Sequence, residues 1–405
     1  MNKYQSKVLL STSAGIALEN MDIMFLSFSL SSMIATFGIS STAAGWIATI
    51  TNLGMLVGGI FFGLMADKYG RVKVFSYTVI LFSIASLLMF FASNIYLVYL
   101  FRFIAGIGAG GEYGACMSLI SESFSKKQLG RAASTAGIGA QVGAALAAIL
   151  ASIIIPLFGW RMLYVVGVLP VLMVLFIRRD LREPAAFAKA QEQGRSAKLR
   201  DLFATKSFAW QTIGLSLMVT VQIAGYFGLM NWLPSIMQTQ LGLSVSGSSL
   251  WMVCTILGMS LGMFTFGTVM DKIGPRKAFA IFLICSALSV YLLVMAHSQL
   301  TLVAAAVIVG YFINGMYGGY GAVISSLYPT EIRATANNFI MNLGRAVGGF
   351  SAIIIGFLMD RYNLTAVILF LSGIYVISLL VLLTIPGIKT LQAVADSPVE
   401  LEELS

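Results

Sequence analysis

A chain of 405 residues with 58% hydrophobic side chains, 40 glycines and only 16 acidic residues lacks the polar surface that a soluble domain of this size requires. That composition excludes a water-soluble enzyme and makes the chain a polytopic helical membrane protein. Its 25 basic residues give a net charge of +9, which the layout below assigns to topology and not to a nucleic-acid footprint.

Apolar runs of about 20 residues, the length that carries a helix across roughly 30 Å of hydrocarbon, recur along the whole chain. In order they occupy 8–36, 45–66, 73–92, 95–121, 132–156 and 161–178, then 208–234, 246–270, 277–296, 300–326, 335–360 and 364–386. The first follows Lys3 and Lys7 as a signal peptide would, but its length and its two acids, Glu19 and Asp22, mark it as a retained span. Twelve spans place both tails on one side. Of the 25 Lys and Arg residues, 21 then fall in the tails and the loops on that side, leaving Arg102, Arg161, Arg345 and Arg361 elsewhere. Because positive loops stay inside, both termini are expected in the cytoplasm and the protein in the cell membrane.

The longest polar segment, residues 178–206, separates six spans from six. The expected organisation is an N-terminal half (1–178), a cytoplasmic linker (179–206) and a C-terminal half (207–405) with a short tail. The halves repeat one another. "GLMADKYGRVKV" at 63–74 matches "GTVMDKIGPRKA" at 267–278, and "GGEYGACMSLISES" at 110–123 matches "YGGYGAVISSLYPTE" at 317–331. Cys116, Cys254 and Cys285 lie within spans without C-x-x-C spacing and read as packing residues, so neither a metal nor a disulfide is expected, and no cofactor. The only histidine, His297, ends span 9, which excludes a histidine proton relay through the membrane.

The G-x-x-x-D-K-x-G-R loop between spans 2 and 3, its weaker copy between spans 8 and 9, and the six-plus-six layout resemble the major facilitator superfamily. "RFIAGIGAGGEYGA", "YFGLMNWLPSIM" and "YPTEIRATANNFIMNLGRAVGG" resemble its niacin, aromatic-acid, sialate and organic-acid symporter branch. That resemblance implies an all-α membrane fold of two pseudo-symmetric six-helix bundles. It also implies secondary transport by alternating access. The second loop departs from the pattern at Pro275, while Arg276 and Lys277 keep the charge.

A mere positive-inside anchor needs the cations of these loops but not Asp67 and Asp271. Each aspartate is therefore expected to pair with a cation, such as Arg71 or Arg276, or to cap a helix of the opposite half, latching the cytoplasmic side. Glu122, Arg131, Glu331 and Arg333 join the same network or stand as solvated loop charges. Within the spans, a charge costs at least a few kcal/mol and so marks a cavity or a partner. Glu19 and Asp22 share a helix face, and two ionised acids there would repel, so proton exchange is expected at Asp22, Glu112 or Glu19. Arg102 requires an anion: Asp22, Glu112 or substrate. Arg345, deep in span 11, either meets a substrate carboxylate or pairs with another span. Gln141, Gln222, Tyr226, Asn231, Asn314, Tyr317 and Tyr320 complete the expected substrate site, with Trp232 near the outer belt.

No G-x-x-x-x-G-K-S/T motif supplies a nucleotide motor, and no nucleophile or metal cluster supports an enzyme. Expected partners are protons, the lipid bilayer and a small anionic solute, carried by a monomer, with no nucleic acid. The expected function is proton-coupled uptake of a small organic anion. Sugar or polyol symport and proton-coupled drug or metabolite export are the alternatives. Span 5 lacks the G-P-x-x-G-G element of the exporters, and "YPTEIRAT" departs from the sugar-carrier ending.

Overall fold

The computed structural model describes residues 3–39, 41–125, 127–169, 171, 198–241, 245–296 and 298–396. Most of the linker, His297 and the side chains of Asn231 and Trp232 lie outside the described residues. The first half consists of α1 (Lys3–Phe37), α2 (Ser41–Tyr69), α3 (Arg71–Leu88), α4 (Ile95–Ser123), α5 (Leu129–Phe158) and the start of α6 (Trp160–Val166). The second consists of α7 (Lys206–Leu241), α8 (Val245–Ile273), α9 (Pro275–Ser289), α10 (Gln299–Gly315) and α11 (Tyr317–Leu327). It continues with α12 (Arg333–Gly348), α13 (Ser351–Arg361), α14 (Leu364–Thr384) and α15 (Pro386–Asp396). Helices dominate because hydrocarbon offers no partner for a free backbone N–H or C=O.

Ten stretches among the described residues are long and apolar enough to cross a membrane. The two further spans expected from sequence have separate explanations. Residues 161–178 are described only in part. The run 335–360 is divided: α12 ends at Gly348 and α13 begins at Ser351, and α12 carries Asn337, Asn338, Asn342 and Arg345. Its polarity is explained by what it packs against.

Two tight turns fix the repeat. Gly70 (φ 116°) joins α2 to α3 and Gly274 (φ 83°) joins α8 to α9, in a backbone region that a side chain disfavours. Pro275, the departure from the loop pattern, sits in the first turn of α9, where a missing N–H costs nothing. At the opposite end, Asn94, Ser298 and Asn363 cap α4, α10 and α14 by accepting from the N–H groups of Leu97, Thr301 and Ala366. Both ends of the described chain lie at the turn side: Gln5 donates to the Ser123 carbonyl (3.0 Å) and Gln392 to that of Ile273 (2.8 Å).

Within the first half, α4 packs on α2 and α3, and α1 on α5. The glycine ladder of α4 is a packing surface: a Cβ at Gly106 or Gly110 would strike the carbonyl of Thr51 or Met55. Inside this bundle the acid Asp22 of α1 pairs with Arg102 of α4 (Oδ2 to Nη1, 2.9 Å), and Ser86 of α3 donates to its other oxygen. Asp22 and Arg102 are both buried, so one joint ties α1, α3 and α4.

Removing one partner of such a pair strands the other in hydrocarbon, at a cost of about 3–5 kcal/mol. Asp22→Asn and Arg102→Gln should each lower the unfolding temperature in detergent, and the double variant should be more stable than either alone. Strictly additive losses would show that the two charges do not support each other.

Candidate functional site

The turn-side end of the molecule is closed by two related caps. Asp67, at the end of α2, accepts hydrogen bonds from Ala334 N (3.1 Å), Thr335 N (2.8 Å) and Thr335 Oγ1 (2.8 Å), at the N-terminus of α12 in the other half. Asp271, at the end of α8, accepts from Gly130 N (2.8 Å) and Arg131 N (2.9 Å), at the N-terminus of α5. Each carboxylate takes up N–H groups that the first turn of a helix leaves free, at the positive end of its dipole.

The copies differ in their cations. Arg71 is fully buried and bonds Asp67 (3.1 Å), Glu122 (3.2 Å) and the carbonyls of Ala66 and Thr330, while Arg333 reaches the same oxygen of Glu122 (3.2 Å). Asp67, Arg71, Glu122 and Arg333 thus form a closed, charge-neutral quartet that spans both halves. Arg276 does not copy Arg71: it turns toward the Leu383 carbonyl at the end of α14 (3.4 Å). Arg131 contributes its backbone N–H and exposes its side chain, and Glu331 sits half-buried in the turn Thr330–Ile332.

Above the quartet, α12 lies in a groove made by α2 and α4. Asn338 accepts from Gly114 N (2.6 Å) and donates to Gly111 O (3.1 Å), and Asn342, one turn further, donates to Gly110 O (2.8 Å). A Cβ at Gly59 would meet the Asn342 amide, and one at Gly63 the α12 backbone at Thr335. This accounts for the polarity of span 11, whose amides face helix backbone and not lipid. Sequence reasoning quoted this stretch without assigning Asn338 or Asn342 a role. Their signal was the i, i+4 spacing opposite a glycine ladder.

One further turn along α12, Arg345 completes the series. Its Nη1 bonds Glu19 of α1 (3.2 Å) and its Nη2 the Tyr317 hydroxyl of α11 (2.8 Å). The Tyr113 ring of α4 lies 6.2 Å from that of Tyr317, and Tyr226 of α7 is within electrostatic reach of both Tyr317 and Arg345. Glu19 is buried, whereas the Arg345 side chain keeps 17% of its surface open. Of the readings held open for Arg345, the structure shows a pairing with another span.

Glu19 and Asp22 still act on each other electrostatically, but they do not share a partner. Each has its own arginine, in different directions, because three residues of helix turn separate their side chains enough to serve different partners. Arg102 takes Asp22, not Glu112. Glu112 is fully buried with neither oxygen hydrogen-bonded.

The remaining candidates do not converge on one point. Gln222 donates to Asn314 (3.2 Å), forming a separate buried pair, and its own Oε1 has no hydrogen-bond partner. Tyr320 is buried and donates to the Met218 carbonyl (3.1 Å), a packing role. Gln141 is buried on α5. A cleft of about 240 Å³ lies along the seam between α2 (Ala48, Thr49, Asn52), α7 (Phe227) and the end of α12 (Ala346, Gly349). It borders the Arg345 turn, but Arg345 itself does not line it.

The sequence model for the Major Facilitator Superfamily matches residues 12–259 and 215–400. A putative metabolite transport protein of Haemophilus influenzae is 37% identical over 402 residues, covering 96% of this chain and 98% of that protein. A cis,cis-muconate transport protein of Acinetobacter baylyi is 30% identical over 350 residues, covering 85% of each. In fold, the chain resembles the proton:xylose symporter XylE bound to 6-bromo-6-deoxy-D-glucose, with a TM-score of 0.81 at 17% identity, covering 97% of this chain and 99% of that one. Two helical halves joined by reciprocal aspartate caps, with a family match along nearly the whole chain, identify this protein as a transporter of the Major Facilitator Superfamily and not an enzyme.

Proposed function

We propose that this transporter carries a small organic anion into the cell together with protons, by alternating access of its two halves, with both termini in the cytoplasm. The observation that carries this reading is Arg345. An always-charged guanidinium stands in the last turn of α12, within the apolar run 335–360 and at the seam between the halves, partly open, with two of its five N–H donors engaged. That is the geometry in which a fork of donors can receive a substrate carboxylate. The similarity to a muconate transport protein supports the same reading.

With the tails inside, the arrangement described is the one closed toward the cytoplasm, held by the Asp67 and Asp271 caps. Protons would enter through Glu19, Asp22 or Glu112, the carboxyls embedded in the spans of the first half. A sugar or polyol is the second reading. It is favoured by the Gln222–Asn314 pair, whose free Oε1 suits a hydroxyl donor.

Reconstituted protein should accumulate at least one of labelled nicotinate, 4-hydroxybenzoate, benzoate or N-acetylneuraminate when the outside is made acidic. Arg345→Gln should remove that uptake, and Arg345→Lys, which keeps the charge but loses the fork, should leave less than about a tenth of it. Sugar uptake with indifference to all four acids would establish the second reading instead.

Asp67→Asn should slow transport several-fold while equilibrium affinity changes little, because Asp67 holds the closed end and lies away from Arg345. Asp271→Asn should act in the same direction but more mildly, since no buried arginine depends on Asp271. Loss of binding with unchanged turnover would contradict the latch assignment.

A further inference from the structure

The geometry points to Glu19 as an internal stand-in for the substrate's carboxylate: it occupies Arg345 in the empty carrier and yields that place to a monocarboxylate as it takes up one proton. This rests on the reading of Arg345 as the anion anchor and adds the residue that enforces one proton per anion.

Three features separate Glu19 from the other embedded acids. Asp22 has both oxygens engaged, by Ser86 and Arg102, within one half, so rocking of the halves leaves it undisturbed. Glu112 is sealed, with no cation to release. Glu19, in contrast, reaches across the seam to a single partner, accepting one 3.2 Å bond from Arg345. Arg345 is held from its own half by Tyr317. When Glu19 lets go, the guanidinium therefore keeps its position and offers Nη1 to an incoming carboxylate.

Charge conservation within the membrane makes the exchange selective. Empty, the site holds Arg345 and an ionised Glu19, and its net charge is zero. Loaded with a monocarboxylate and one proton on Glu19, it is again zero. Loaded with the anion alone it carries −1 in a low-dielectric seam, which costs several kcal/mol. Both neutral forms can rearrange, and the charged one cannot, so the anion crosses only with its proton. The balance is complete without any further reactant: the proton comes from the side at which substrate enters, the Glu19–Arg345 bond breaks, and the substrate–Arg345 bond forms.

Apart from Arg345, the groups facing Glu19 are acids and neutral side chains. On its own helix, Asp22 is neutralised by Arg102. From α4 it meets Glu112, Tyr113 and Cys116, from α12 Arg345, and from α11 Tyr317 through Arg345. None of these is a second cation that could take over from Arg345.

The test measures equilibrium binding of benzoate, nicotinate, 4-hydroxybenzoate and N-acetylneuraminate to purified protein between pH 6 and 9, where these acids remain ionised. Whichever binds most tightly should weaken by about tenfold per pH unit once Glu19 is ionised, and its addition should draw about one proton per carboxylate from a dilute buffer. Glu19→Gln should bind the same acid at least tenfold more tightly at pH 8.5, with no pH slope and no proton uptake, and should lose gradient-driven accumulation. The wild-type proton count stands as a test even if that variant does not fold. Binding that needs Arg345 but takes up no proton, or a pH slope retained in Glu19→Gln and lost in Glu112→Gln, would overturn the assignment while leaving the anion reading intact. Absence of Arg345-dependent binding for all four acids would remove the anion reading and the inference together.

Discussion

No uncompensated charge can be left in the hydrocarbon, and the internal organisation of this protein follows from that constraint. Asp22 answers Arg102, Glu19 answers Arg345, and Asp67 with Glu122 answers Arg71 with Arg333. Each group is electrically closed, but they differ in what they join. The first lies inside one half and serves the fold. The other two bridge the halves, so the movement that opens the carrier must separate opposite charges and supply each with a new partner. At the turn-side end water can do so. At Arg345, whose side chain is partly open, the replacement proposed above is a substrate carboxylate, with a proton on Glu19.

The two aspartate caps show how a duplicated structure becomes asymmetric without losing its symmetry of contact. Both reach across to the first turn of a helix in the opposite half. Only the Asp67 copy recruits a buried arginine and a second acid, because Arg276 follows Pro275 into the first turn of α9 and reaches toward the end of α14 instead. The seam of α12 against α2 and α4 is accordingly the more strongly bonded of the two, with amides as well as charges. The seam of α5 against α8 brings Gly130 and Ser134 against Gly267, with Met270 against Gly130 and Met263 against Gly137.

Much of the fold was legible in the sequence, since apolar length and the placement of cations are direct consequences of the bilayer. The capping of helices across the halves was legible as well, because an aspartate repeated in two loops needs a reason that positive-inside charge does not provide. What could not be read was which charge meets which. Glu19 and Asp22 stand three residues apart and look like one site, yet they point to different helices and belong to different parts of the machine. Helix periodicity places two side chains on neighbouring turns of a face, and the partner across that face depends on tertiary packing. Asn338 and Asn342 were hidden for a related reason: an asparagine in a membrane helix acquires meaning only when the opposing helix exposes its backbone, as α4 does at Gly110, Gly111 and Gly114.

That clasp also suits the proposed separation of the halves. Amide-to-backbone bonds are neutral, so breaking them leaves no bare charge, and each can be replaced by water at the open end for a net cost of about a kcal/mol. The glycines serve the same purpose by letting α12 approach until its short amides reach the α4 carbonyls. A seam of large apolar side chains would close just as well. It would have to expose that surface to water on every cycle, at about 25 cal/mol for each Å². Small residues, amides and helix caps therefore give a contact that is specific when closed and inexpensive to solvate when open, in contrast to the two charged groups that bridge the halves.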